Sequence, residues 1–256
     1  MWGKRATTRA VVHDARDDLL ELLTARRRRL TRAAASWPAR SVLALAVERE
    51  GEPNLLEAAF AELAHTHHHV EAVRATTAGR GKWENVDALL RDHPAAGHDW
   101  LIVIDDDVRL PRGFLDAFVF LAERFELRIA QPAHRARSHA AWDVTRRRPG
   151  VVARETMFVE SGPVVGFHRE TFETLLPFPP LRAGWGLDHR WSALAGEHGW
   201  KLGVLDTVAV THGLRRIAAS YDRSEAIDEA RRFLAGKPYV RAADAQRTLV
   251  THRSWR

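Results

Sequence analysis

Three consecutive carboxylates, Asp105, Asp106 and Asp107, end an apolar run from Trp100 to Ile104. Adjacent carboxylates repel one another. A hard divalent cation, Mg²⁺ or Mn²⁺, removes that conflict, because such ions take one or two carboxylates and fill their remaining positions with phosphate oxygens and water. On an extended backbone, Asp105 and Asp107 point to one side and Asp106 to the other. The alternative for the same residues is an acidic cluster capping a helix that opens at Pro111. A further acid, Asp188, follows Gly184-Trp185-Gly186. A carboxylate beside a glycine-flexed loop is suited to general-base work, and its plainer alternative is an N-cap next to a core tryptophan. Gly79-Arg80-Gly81-Lys82 is a glycine-rich cationic turn, of the kind that holds phosphate through backbone donors and a lysine, and its plainer alternative is solvent-exposed charge. His212 lies in Thr211-His212-Gly213, and imidazole is a reasonable ligand for Mn²⁺. A lone histidine among 14 is more often structural.

These residues need elements to position them. Residues 41–47, SVLALAV, read as a buried strand, and 55–65 have helical spacing through Leu56, Phe60 and Leu63. Residues 67–76 read as a second strand, 84–92 as a short helix, and 100–108 as the clearest strand of the chain. A helix opens at Pro111 and carries Phe114, Phe118, Leu121 and Phe125 on one stripe. Another strand follows at 127–133. Alternation of strand and helix over 41–133 predicts a mostly parallel sheet with helices on both faces. In such sheets ligands sit beyond the carboxyl ends of the strands, where both the aspartates and Glu48-Arg49 fall. Upstream, 13–36 read as one helix with leucines on one side and arginines on the other, stopped by Trp37-Pro38. Downstream, 134–150 read as a mobile loop, 151–172 as strand and turn leading into a helix, and 187–198 as a helix. Residues 201–213 read as a strand or strand pair, 214–235 as an amphipathic helix with Leu214, Ile217 and Tyr221, and 236–256 as a tail. His67, His68 and His69 are expected to be surface residues that alternate across a strand and do not chelate together.

In order, the lysine turn, the Asp-x-Asp strand, Gly-Trp-Gly-x-Asp and Thr-His-Gly resemble the motifs of nucleotide-sugar-dependent glycosyltransferases with the GT-A fold, over residues 40–215. The resemblance implies a Rossmann-like α/β/α sandwich. It implies that Asp105 and Asp106 approach the donor, that Asp107, with Asp105, binds a metal bridging the diphosphate, and that His212 returns to that metal. Asp188 takes the place of the base that deprotonates the acceptor in inverting members, with Trp185 and Gly186 beside the donor. Tryptophan faces pack well on sugar rings. Arg80, Lys82 and Asn85 fall in a segment like the Gly-Lys-x-x-Asn near the diphosphate, and Glu48 and Arg49 where the fold contacts the nucleotide base. In similar enzymes the small-residue turn at Glu160-Ser161-Gly162 lines the sugar pocket. The base motif departs from the family pattern in having His189, not a second acid, after Asp188.

Composition sets the outer bounds. The 256 residues suffice for one sizeable core, and one domain with its core at about 40–215 is expected. The chain has no cysteine, so thiolate metal sites and cysteine nucleophiles are excluded. No run reaches the roughly 20 apolar residues of a membrane span, and a cytoplasmic setting is expected. Net charge is +6, densest at Arg26 to Arg29. That run is either a solvated helix face or an attractor of anionic lipid or acceptor, leaving room for peripheral contact with an anionic membrane. No aromatic interleaving accompanies it, so sequence-specific nucleic-acid binding is not expected. The reading is metal-dependent, inverting transfer from a UDP-sugar, the donor metal-dependent members favour, to an unidentified acceptor. Its rivals are a Mg²⁺-dependent nucleotidyl- or phosphotransferase, which lacks a phosphate-cradling G-x-x-x-x-G-K-[ST], and a non-catalytic basic module for anionic polymer or membrane.

Overall fold

The computed structural model describes residues 7–214 and 222–256. In chain order the elements are α1 (Thr8–Leu23), α2 (Arg26–Ala35), β1 (Ser41–Glu48), α3 (Leu56–Ala64), β2 (His69–Thr76), α4 (Lys82–Asp92), β3 (Trp100–Asp105), β4 (Val108–Arg109), α5 (Phe114–Arg124) and β5 (Leu127–His134). They continue with β6 (Ala153–Thr156), β7 (Val164–His168), α6 (Phe172–Leu175), α7 (Leu187–His198), β8 (Lys201–His212), α8 (Arg223–Leu234), α9 (Ala242–Ala245) and β9 (Thr248–His252).

One sheet in the order β2-β1-β3-β7-β5-β8-β6-β9 forms the middle layer, with β4 paired to β8 off that path. β1 lies between two parallel neighbours, β2 and β3, and β5 runs parallel to β8. β7 is antiparallel to both β3 and β5, and β6 to both β8 and β9. Six of these eight strands therefore share one direction, and β6 and β7 reverse it. Strands covered on both faces read as unbroken apolar runs, and Val42–Val47 and Trp100–Ile104 are buried throughout. Alternate residues serve opposite layers. Val42, Ala44, Ile102 and Ile104 pack with α2, α3 and α5, through Leu30, Leu63, Phe114 and Phe118. Leu43, Leu45, Leu101 and Val103 pack with α4, α6 and α7, through Trp83, Leu175 and Trp191. This is the expected α/β/α sandwich.

Several local expectations change. The single helix over 13–36 is two, because Ala25 between α1 and α2 takes a left-handed conformation (φ +48°), and α1 turns its leucines outward and its aspartates inward. The polar stretch 134–150 is not a loose loop. Arg135 pairs with Asp18, Arg147 with Asp18 (3.2 Å) and Glu21 (2.6 Å), and the Arg148 N–H donates to Asp206 Oδ1 (2.7 Å). The tail at 236–256 contains β9, which joins the sheet edge at β6. The helix expected over 214–235 begins at Arg223, while Ile217 and Tyr221 lie outside the described residues. Among the described residues no helix is long and apolar enough to cross a membrane.

His67 and His68 also depart from expectation. They precede β2 in a bend, so strand alternation does not separate them, and their rings lie 4.2 Å apart beside Asp116. His68 is buried, and burial, with His67 next to it, pushes its imidazole down to about 4. Its Nδ1 accepts the Arg40 N–H (3.1 Å), so the neutral ring carries its proton on Nε2, facing Asp116 at 3.9 Å.

Candidate active site

β3 ends at Asp105, Asp106 and Asp107 make a two-residue turn, and β4 leaves antiparallel to the far end of β8 with Val108 opposite His212. That short ladder carries a histidine 105 positions downstream of Asp107 back to the aspartates. His212 Nε2 lies 2.9 Å from Asp107 Oδ1, and ligand atoms of Asp105, Asp107 and His212 all lie within 4.8 Å of one another. The backbone fixes the histidine, since its N–H donates to Ser138 Oγ (2.7 Å) and its carbonyl accepts from the His139 N–H (2.8 Å). Burial alone lowers the His212 imidazole, but hydrogen bonding and charge from Asp107, with Asp105 behind it, hold it above its ordinary value. Two carboxylate oxygens and an imidazole nitrogen converging this closely fit a divalent cation such as Mn²⁺ or Mg²⁺, which would take the place of the imidazole proton.

Asp106, first residue of the turn, is bonded to the backbone beside it. Its Oδ2 accepts the Arg49 N–H (3.0 Å) and its carbonyl the Leu55 N–H (2.7 Å), tying the end of β3 to the loop after β1. Lys82, first residue of α4, reaches Asp105 Oδ1 (2.6 Å) and donates to the Ser161 carbonyl (3.0 Å). Gly162 leaves just enough room for this pair, because a Cβ there would lie 2.9 Å from Asp105 Oδ2 and 3.3 Å from Lys82 Nζ. Gly162→Ala is expected to force Asp105 off its rotamer, at roughly 0.5–1.5 kcal/mol. Mn²⁺ titration calorimetry should read this as a several-fold weaker site at a near-unchanged melting temperature.

Asp105, Asp106, Asp107, His212 and Lys82 open onto one cavity of about 1190 Å³, walled also by Arg80, Trp185, Gly186, Asp188 and His189. Trp83 and Trp191 underlie the Gly-Trp-Gly loop edge to face, with ring centroids 5.3 Å apart. Gly184 is obligatory there, since it has φ +74° and a Cβ would fall 2.1 Å from Trp83 Cδ1. Asp188 stands in the first turn of α7 with Oδ1 accepting the His189 N–H (2.9 Å). Burial, and secondarily the Glu160 carboxylate, push Asp188 up to about 6 against the opposing pull of His189. Glu160 moves the other way. Burial would raise it, but His134, Thr145 Oγ1 (2.5 Å) and the Trp142 N–H (3.3 Å) hold it low. The surroundings thus shift these two acids in opposite directions.

The sequence-selected residues therefore do not all reach the cavity wall. Asp105, Asp106, Asp107, Asp188, His212, Lys82, Arg80, Arg49, Trp185 and Gly186 do. Glu48 and Asn85 do not line it. The Glu48 carboxylate accepts from Asn54 Nδ2 (3.4 Å) and faces Arg74 (3.9 Å). Asn85 is buried, and its amide donates to the Thr77 and Gly81 carbonyls (3.1 and 2.9 Å), which shapes the Gly79–Lys82 turn. Sequence reasoning missed the electrostatic part of Glu160 and the wall supplied by α8, through Ile227, Ala230, Arg231 and Leu234. Glu229 docks that helix by accepting the N–H groups of Arg182, Ala183 and Gly184 (2.7, 2.9 and 3.2 Å). No local sequence pattern marks Glu229 apart from the other acids of its helix.

No protein-family model matches the chain, and no curated protein matches it. Among solved structures it is similar to that of GalNAc-T7 with UDP, GalNAc and Mn²⁺, with a TM-score of 0.50 and 12% identity over 77% of this chain and 48% of that one. The chain thus spans about half the length of that protein. It also aligns with the mannosyltransferase PcManGT from Pyrobaculum calidifontis, in complex with GDP-Man and Mn²⁺ (TM-score 0.44, 16% identity, 83% and 69% covered). A third alignment is with the catalytic domain of Drosophila beta1,4galactosyltransferase 7, in complex with xylobiose (TM-score 0.48, 12% identity, 73% and 78% covered). At these identities what is shared is the fold, and the fold is of the GT-A kind.

Proposed function

We propose that this chain is a metal-dependent, inverting glycosyltransferase that moves a sugar from a UDP-sugar to an acceptor hydroxyl in the cytoplasm, with core and flanking helices acting as one catalytic unit. The observation that carries the reading is convergence. A three-ligand cluster (Asp105, Asp107, His212) and a buried carboxyl poised near neutrality (Asp188) come from three separate segments and share one cavity. The GT-A fold, and the UDP and Mn²⁺ in the GalNAc-T7 structure, support the choice of donor and ion.

Asp105, Asp107 and His212 would hold the cation, which when bound neutralises charge developing on the departing diphosphate. Lys82 and Arg80 stand at the same wall to take phosphate oxygens. Trp185, half-buried on the opposite loop, offers a face for a sugar ring. Asp188 takes the proton of the acceptor hydroxyl as that oxygen bonds to the anomeric carbon and the bond to the diphosphate breaks. A single displacement of this kind inverts the anomeric centre.

The test is donor binding with and without metal. Asp107→Asn keeps the shape but removes one charged ligand. Residues that only orient ligands typically cost 10–100-fold in metal affinity when changed, so this substitution should weaken Mn²⁺-dependent UDP-sugar binding by roughly 100-fold in titration calorimetry. Equal affinity in variant and parent would remove the metal assignment.

A further inference from the structure

Helix α1 is amphipathic in the reverse of the usual sense. Asp14, Asp17, Asp18 and Glu21 follow the i, i+3, i+4, i+7 spacing of one helical face, and that face meets the protein. Asp14, 1% exposed, accepts the Ala136 and Arg137 N–H groups (2.8 and 3.2 Å), Asp18 pairs with Arg135 and Arg147, and Glu21 pairs with Arg147. The apolar residues face out, with Val12 62%, Leu22 74% and Leu23 72% exposed. Of the ten large apolar side chains exposed among the described residues, six belong to this one helix. Such concentration marks a surface that something covers.

The charge beside it says what. Three residues beyond Leu23, α2 opens with Arg26, Arg27, Arg28 and Arg29. The Arg26 guanidinium donates to the Gly150 carbonyl (3.2 Å). Arg27, Arg28 and Arg29 are exposed with no carboxylate partner among the described residues. All four acids of α1 are occupied: Asp14, Asp18 and Glu21 as above, and Asp17, itself buried, by His13 (3.4 Å). The face therefore offers leucines and unpaired cations and no available anion. A second copy docked through the same face would bring the same arginines and no compensating charge. Anionic lipid headgroups do, and an acyl boundary takes the leucines.

We propose that α1 and the start of α2 form a docking surface for an anionic lipid bilayer, with Leu19, Leu22 and Leu23 entering the headgroup–acyl boundary and Arg27, Arg28 and Arg29 on the phosphates. The inference does not depend on the reaction proposed above. The test is co-sedimentation of the whole protein with phosphatidylcholine vesicles, alone or mixed with phosphatidylglycerol. The protein should pellet with the anionic vesicles, less so as salt is raised, and stay in solution with the neutral ones. Each of Arg27→Gln, Arg28→Gln and Arg29→Gln should lower partitioning roughly five-fold, and the double variant Leu22→Ser, Leu23→Ser should abolish it. These side chains face solvent, so circular dichroism and donor binding should match the parent. Failure to pellet, equal pelleting with both compositions, or a leucine-dependent dimer in light scattering would each overturn the proposal.

Discussion

Asp188→Asn should lower kcat for sugar transfer by about 10²–10⁴-fold, the range typical of general-base catalysis, with little change in donor affinity. The carboxyl is buried in the cavity wall at the first turn of α7, and asparagine preserves both its volume and the oxygen that accepts the His189 N–H. The pH profile gives an independent readout. With the parent carboxyl raised to about 6, transfer should climb as pH passes through that value, because only the ionised form accepts a proton, and the variant should lose this limb. Stability has the opposite sign. A carboxyl raised from 3.8 to about 6 in the fold binds more protons in the native than in the unfolded state across that interval. Its stabilising contribution, complete below about pH 4, is thus lost as pH rises through 6. Asparagine cannot ionise, so at pH 8 the variant should melt at or above the parent's temperature. A lower melting temperature with normal turnover per folded molecule would make Asp188 structural. Retention of configuration in the first-formed product would take the base role from it even with the fold intact.

Asp206→Ala should cost about 3–5 kcal/mol of folding stability, the usual result of stripping one partner from a buried ion pair. Both side chains of the Arg154–Asp206 pair are wholly buried, with Arg154 Nε donating to Asp206 Oδ2 (2.9 Å) and Nη2 to Oδ1 (3.1 Å). Arg154 also donates to the Val144 and Arg146 carbonyls (2.6 and 2.8 Å). The pair therefore pins the segment whose Trp142 N–H and Thr145 hydroxyl hold Glu160 beside the cavity. Replacing both partners by apolar residues of similar size, Arg154→Met with Asp206→Leu, should recover much of the loss, since no charge then stays buried without a partner. Chemical denaturation of the single and double variants measures both effects. A single-variant loss below about 1 kcal/mol would show that water or another group compensates the arginine.

The sequence by itself determined the buried strands and the helix at the middle of the fold, and which residue types stand at the strand ends. Continuous apolar runs at 42–47 and 100–104 are a local signature of strands buried on both faces, and β1 and β3 lie there. The stripe through Phe114, Phe118, Leu121 and Phe125 is equally local, and α5 with its C-cap Phe125 buries all four. Carboxylates at the end of a buried strand suggest a cation, but by themselves they fit an acidic cap before a helix as well. The tertiary structure alone decided what depends on partners distant in sequence. His212 meets Asp107 only because β4, two residues long, pairs with the end of β8. Asn85 fills its amide with the carbonyls of its own turn, and Glu48 faces Asn54 and Arg74 instead of the cavity. The 134–150 stretch is held because acids more than 100 residues upstream neutralise Arg135 and Arg147, and Asp206 accepts the Arg148 N–H. The same pairing turns α1 inside out. Hydrophobic periodicity reports that a helix has two faces, but which face meets the body is settled by the charges waiting there. Aspartates aligned with buried arginines hold that side against the leucines, because an unpartnered buried guanidinium costs more than an exposed leucine.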